Sequence, residues 1–160
     1  MAPALGVAST RHVGVLMRGF AKFEAEHPAA AAKVQPLFVS IDPARDTPPR
    51  VGEFAAAFSP RLIGLTGSQA EIDAAVKAYG RLDALCNIAG TIFFSHTPDM
   101  TPAQWEKTLA VNLSAPFYLI QAAIPHLLKA NGAVVNVASS GACVGEAYLA
   151  AYCASKAGLL

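Results

Sequence analysis

"AQWEKTLAVNLSAPFYLIQAAIPHLLKANGAVVNVASS", residues 103–140, decides the fold. Residues 103–130 read as a long apolar helix, and Gly132 fits its end at the head of "GAVVNVASS", a strand rich in β-branched residues. A helix that leads back into a buried strand is the crossover of a parallel sheet. Outward from there, "LDALCNIAG" (82–90) supplies the strand before the helix. Further upstream "QPLFVSI" (35–41), "RVGEFAAAF" (50–58), "RLIGLT" (61–66) and "QAEIDAAVKAY" (69–79) repeat the alternation of strand and helix, and "AYLAAYCASKAGLL" (147–160) closes the chain as a helix. The expectation is an α/β fold, a mostly parallel sheet with helices on both faces, held in one composite domain over 1–160 after a helical segment at 1–32.

The helix boundaries carry their own signals. Ser68 with Glu71, and Thr101 with Gln104, have capping-box spacing, and Pro102 stands at a first helical position, where its missing N–H costs nothing. Gly80 and Gly132 fit helix ends that need the left-handed conformation.

Composition narrows the function. The 160 residues are 54% hydrophobic and 14% charged, and the mean hydropathy is +0.40, which points to a doubly covered sheet or a buried oligomer interface. Twelve basic against eleven acidic residues leave a net charge of +1, so a nucleic-acid partner is not expected. The cysteines, Cys86, Cys143 and Cys153, form neither a disulfide framework nor a zinc pattern, and a reducing cytoplasm is the expected setting. Residues 1–23 read as an ordinary amphipathic helix rather than a targeting segment. The charge-free run Leu109 to Leu128 has the length of a membrane span, but Asn112, Ser114, Pro116, Gln121, Pro125 and His126 interrupt it, so a buried helix and no membrane partner are expected.

In an open α/β sheet, ligands gather at the carboxyl ends of the strands, which makes Asp42, Gly67, Asn87 to Gly90 and Ser139 to Gly141 candidate site positions. A dinucleotide site normally opens with a glycine-rich turn whose N–H groups meet the pyrophosphate. This chain has none: "HVGVLMRGF" has glycines at the wrong spacing, and "IGLTGSQAE" offers Gly67 alone. Tyr152 and Lys156, four apart on the last helix, share a face. A phenol ordinarily loses its proton near pH 10, and a neighbouring ammonium favours the phenolate, so the pair is suited to proton transfer.

Residues 80–160 resemble the short-chain dehydrogenase/reductase family. "GRLDALCNIAG" is similar to the family's Asn-Asn-Ala-Gly segment with Ile88 in place of the second asparagine, "VNLSAPFYLIQAAIPHLLKANGAVVNVASSGACVG" to its central helix and strand, and "YCASK" to its tyrosine-lysine motif. The resemblance implies a Rossmann-like or flavodoxin-like three-layer sandwich, truncated or hybrid here, and an NAD- or NADP-dependent oxidoreductase acting on an alcohol or carbonyl. It makes Asn112, Ser139, Tyr152 and Lys156 the catalytic set, with Asn87, Ala89, Gly90, Tyr152 and Lys156 at the cofactor. A small-molecule substrate is the implied partner. Pro116 cannot donate to the Asn112 carbonyl, which leaves a bend and an acceptor for a water. The same residues also admit plain structural roles: Asn112 satisfying a kink, Ser139 and Ser140 capping a loop, Asn87 ending a strand.

Residues 33–80, "KVQPLFVSIDPARDTPPRVGEFAAAFSPRLIGLTGSQAEIDAAVKAYG", resemble the Sco/SenC family of thioredoxin-like copper-delivery proteins. That family's paired copper thiolates have no counterpart here, so no metal site is expected, and Asp42, Asp46 and Thr47 read as turn and N-cap residues. The chain therefore looks like two half-domains joined near residue 80. Relative to the dehydrogenases it is expected to be incomplete, with nicotinamide binding weak or absent and activity weak or lost. A non-catalytic hybrid α/β module is the alternative. The apolar helix over 104–129 and the small residues Ala150, Ala151, Ala154 and Ala157 of the segment 147–160 predict a homo-oligomer through these two helices.

Overall fold

A computed structural model describes residues 7–40, 46–66, 74 and 76–160. Asp42 and Gly67, and the capping pair Ser68 and Glu71, lie outside the described residues. The fold is mixed α/β, and it divides into two compact units, 1–71 and 72–160. In each unit a helix crosses over between two parallel strands. Where the sequence pattern suggests one sheet, the described strands form two separate pairs. Periodicity identifies strands and crossovers, but a strand's hydrogen-bonding edge carries no side-chain pattern to say which neighbour it meets.

The first unit contains helices α1 (Val7–Glu26), α2 (Pro28–Ala31) and α3 (Pro48–Ala56), with strands β1 (Leu37–Ser40) and β2 (Ile63–Thr66). β1 and β2 pair in the register Leu37↔Ile63 to Ser40↔Thr66. Val13, Met17, Ala55 and Leu62 form its buried centre, and Phe20, Phe38, Phe54 and Phe58 pack around them. Gly64 allows β2 to lie directly on α3, since a Cβ there would stand 2.7 Å from the Val51 carbonyl carbon. Arg61 ties the helices to this layer: its guanidinium pairs with Glu24, donates to the Val34 carbonyl at 2.6 Å and to the Ala31 carbonyl at 3.1 Å, and lies over the Phe20 ring. Thr47 is the N-cap position of α3, as the sequence suggests, but its side chain makes no capping hydrogen bond. Asp46 is buried and accepts from the Ser40 hydroxyl at 2.6 Å, a turn role at the end of β1.

The second unit contains strands β3 (Ala84–Asn87) and β4 (Ala133–Asn136), the long helix α4 (Pro102–Ala130) between them, and helix α5 (Ala150–Gly158). β3 and β4 pair from Ala84↔Ala133 to Asn87↔Asn136. The capping box at the start of α4 forms in full: Gln104 N–H donates to the Thr101 hydroxyl at 3.3 Å, and Thr101 N–H donates to the Gln104 side-chain oxygen at 3.0 Å. Within α4, residues Ala110–Ser114 widen into a π-turn. Pro116 supplies no N–H for the ordinary bond to the Asn112 carbonyl, so the bend expected there is taken up as a π-turn.

Two expectations change in this unit. Gly80 is left-handed as predicted, with φ 78°, but at the end of α4 the left-handed residue is Asn131, with φ 53°. Gly132 serves close approach instead: a Cβ there would lie 2.7 Å from the Asp83 carbonyl oxygen. Asparagine tolerates the left-handed region, which frees the glycine for the crowded neighbouring position. Nor is α4 buried all round. Asn112, Pro116, Ala123 and Leu127 face inward, whereas Phe117 (59% exposed), Tyr118, Ile124 and Leu128 (77% exposed) do not, because β3 and β4 cover one face only. By length and composition alone α4 is long and apolar enough to cross a membrane.

Candidate functional site

The site forms where β3 and β4 end and α5 begins. β3 delivers Asn87, Ile88, Ala89 and Gly90 at its carboxyl end, and β4 leads through Val137 and Ala138 to Ser139. The π-turn places Asn112 inside the unit with no exposed surface. A π-turn shifts side chains around the helix axis by part of a turn, and such turns occur often at functional positions.

Asn112 joins three segments through its amide. Its oxygen accepts from Thr91 N–H at 2.7 Å, and its nitrogen donates to the Thr91 carbonyl at 2.9 Å and to the Ser155 hydroxyl at 3.0 Å. Ser155 is fully buried and donates to the Tyr152 carbonyl at 2.7 Å. The loop after β3, the π-turn and the helix carrying Tyr152 are therefore fixed by one asparagine. The expected water acceptor was the Asn112 main-chain carbonyl; the side chain is what the structure shows holding the site together.

Lys156 is 4% exposed, and its ammonium donates to the Val137 carbonyl at 2.8 Å. Burial pulls its pKa below the usual lysine value, because the charged form loses hydration. A Cβ built on Gly90 would stand 3.7 Å from the Lys156 nitrogen and 3.6 Å from the Asn112 side-chain oxygen. Gly90, Asn112 and Lys156 thus meet around one small space. Tyr152 is half-buried, one helical turn before Lys156. Ser139 is half-buried and caps the 3₁₀ turn Ser140–Ala142, its hydroxyl accepting from Gly141 N–H at 3.2 Å; that turn packs on α5.

Asn87 donates to the Asn136 side-chain oxygen at 2.9 Å, its register partner on β4, while its own side-chain oxygen is buried without a partner. An unpaired buried acceptor is costly and marks a place for a donor. Ala89 is half-buried beside it. Two participants were not singled out in the sequence. Ser155 lies three residues after Tyr152, on the same helical face, and a small hydroxyl on an inward face was the available signal. Thr91 acts through its main chain, which leaves no mark on residue type. Among the described residues no group of three or more His, Cys, Asp or Glu stands together as a metal site.

Comparison with known proteins gives two families. The short chain dehydrogenase profile matches residues 61–160, and the SCO1/SenC profile matches residues 15–101. D-threitol dehydrogenase of Mycolicibacterium smegmatis is 41% identical over 93 residues, 58% of this chain and 36% of that protein. Protein SenC of Rhodobacter capsulatus is 61% identical over 46 residues, 29% of this chain and 21% of that protein. The crystal structure of a short chain dehydrogenase from Mycobacterium smegmatis superposes with a TM-score of 0.67 at 25% identity, over 77% of this chain and 54% of that one. The chain spans about a third of the threitol dehydrogenase and half of the solved structure.

Proposed function

Since the chain belongs to the short chain dehydrogenase family through residues 61–160 and to the SCO1/SenC family through residues 15–101, we propose that its second unit is the acid–base half of an NAD(P)-dependent oxidoreductase that interconverts an alcohol and a carbonyl. The observation that carries this reading is the buried Lys156, anchored on the Val137 carbonyl beside Gly90 and Asn112, one turn after Tyr152. A buried ammonium with so little to neutralise it is a costly feature for a purely structural unit.

The residues fit the ribose and nicotinamide end of the cofactor. Asn87 has a buried, unpaired oxygen to accept a hydroxyl proton, Gly90 leaves room beside Lys156, and the ammonium has N–H groups beyond the one that Val137 takes. When bound, the nicotinamide supplies a hydride to the carbonyl carbon in reduction and accepts one in oxidation. In reduction, the Ser139 hydroxyl holds the carbonyl oxygen, Tyr152 gives its phenolic proton to that oxygen, and Lys156 orients the site and replenishes the proton. Asn112 positions this helix through Ser155. No glycine-rich turn stands in the sequence to cradle the pyrophosphate, so nicotinamide binding is weak, with a dissociation constant above about 0.1 mM.

Titration with NADPH, followed by nicotinamide fluorescence, tests the cofactor; a micromolar constant contradicts the weak-binding claim, and no binding at several millimolar removes the cofactor role. The exposed residues Phe117, Ile124 and Leu128 on α4 support a homo-oligomer through α4 and α5, and the unpaired, widely spaced cysteines support a cytoplasmic setting. The alternative of a non-catalytic hybrid module draws on the two separate strand pairs. Copper delivery is not proposed, because the sequence lacks the paired thiolates that hold Cu(I).

A further inference from the structure

The segment that follows Gly90 is tied to α5 at two points. Thr91 is held through both its main-chain groups by Asn112, which also binds Ser155. Four residues later, Ser95 N–H donates to the Tyr148 carbonyl at 3.0 Å, just ahead of α5. Tethered through Asn112 to Ser155 at its first residue and to Tyr148 at its last, the segment 91–95 runs antiparallel to the start of α5, whose residues between those two tethers include Tyr152.

Its side chains alternate. Thr91, Phe93 and Ser95 are half-buried, whereas Ile92, Phe94 and His96 are exposed, Phe94 by 74%. The His96 ring stands edge-on to Tyr148 at 4.6 Å between centroids. Tyr148 has φ 67°, a left-handed conformation that a bulky residue adopts only under constraint, and strain of this kind collects at functional positions. The hydrogen bond from Ser95 and the His96 contact supply that constraint. The result is an apolar and aromatic strip, Ile92, Phe94, His96 and Tyr148, fixed alongside the helix that carries the proposed proton donor.

We propose that this strip is the substrate-recognition wall and that it selects a carbonyl or secondary alcohol on a bulky apolar body over a small polyhydroxylated one. The inference rests on the oxidoreductase reading for the location of the reacting group. It departs from the small polyol named for the threitol dehydrogenase relative. A fused apolar ring would take Ile92, Phe94 and the Tyr148 ring out of water together, while a tetrose-sized ketone could cover little of that area.

The test uses the full chain with ¹³C-labelled aromatic side chains, without cofactor, titrated with 2-decalone and separately with erythrulose. The expected result is movement of the His96 and Tyr148 ring resonances with 2-decalone, at a dissociation constant at least tenfold lower than for erythrulose. In the double variant Phe94→Ser, Tyr148→Gly that preference falls to within about twofold. Phe94 is largely exposed and glycine accepts φ 67° without strain, so the variant retains the fold, checked by its circular dichroism. Erythrulose binding as tight as 2-decalone, or a preference unchanged in the double variant, overturns the proposal. Hydride transfer is read separately. Bound 2-decalone that is never reduced counts against the oxidoreductase reading and leaves the wall intact, whereas reduction of erythrulose without any preference for 2-decalone does the reverse.

Discussion

Replacing Asn112 by alanine removes a side chain that joins the 91 loop, the π-turn and α5. Three hydrogen bonds are lost, at 2.7, 2.9 and 3.0 Å. They do not count equally. Ser155 keeps its bond to the Tyr152 carbonyl, so losing Asn112 costs it little. Thr91 loses the partners of both its N–H and its carbonyl, but the position is half-buried, so water recovers part of the loss and the two groups together cost about 1–3 kcal/mol, the full penalty of one buried unpaired group. The amide also leaves a small cavity in a site with no exposed surface, worth about 1 kcal/mol more. The sum is a destabilisation of about 2–4 kcal/mol, a large part of the total stability of a domain. Urea unfolding followed by fluorescence of Trp105, which stands on α4 in the same unit, reads the change directly. Ser155→Ala should cost about 1 kcal/mol by itself, and the double variant should cost less than the sum, since the two share a bond. An Asn112→Ala change within about 0.5 kcal/mol of the parent would refute the view that this amide organises the site.

Two further outcomes follow from the geometry. Gly64→Ala places a methyl group 2.7 Å from the Val51 carbonyl carbon and should destabilise the first unit by about 1–3 kcal/mol; urea unfolding read by far-ultraviolet circular dichroism, with Trp105 fluorescence following the second unit separately, checks it, and a circular-dichroism curve identical to the parent's would count against the described packing of β2 on α3. Burial lowers the Lys156 pKa, so between its folded value and the unfolded value of about 10.4 the unfolded chain binds more protons, and the second unit should gain stability as pH rises through that window. Below the folded pKa the cost of burying the charge is present in full. Lys156→Met should abolish the rise, and an identical pH dependence in parent and variant would contradict it.

Features that depend on local chemistry were legible from the sequence. The Thr101–Gln104 box, the left-handed Gly80 and the β-α-β crossovers follow from residue type and spacing, and the structure reproduces each. The reading faltered where two residues competed for one role, as with Asn131 and Gly132, because a glycine can serve either a backbone twist or close approach. It also missed what main-chain groups do. Thr91, Val137 and the Tyr152 carbonyl take part through atoms that every residue carries, so no residue-type signal exists for them. The π-turn was anticipated only as a bend at Pro116, since proline forbids one bond without specifying what replaces it. The grouping of Gly90, Asn112 and Lys156 joins positions distant in the chain, and it emerged from the sequence only through family resemblance.

Whether the second unit performs acid–base chemistry on a carbonyl is tested most directly by isotope transfer, which detects even rare turnover. The protein is incubated for many hours with NADPH deuterated at C4, on the transferred face, and 2-decalone, and the alcohol is analysed by mass spectrometry. The account predicts deuterium in the product carbinol with the parent chain and none above background with Tyr152→Phe, which removes only the phenolic oxygen. Equal deuterium with both chains, or none with the parent, would contradict it.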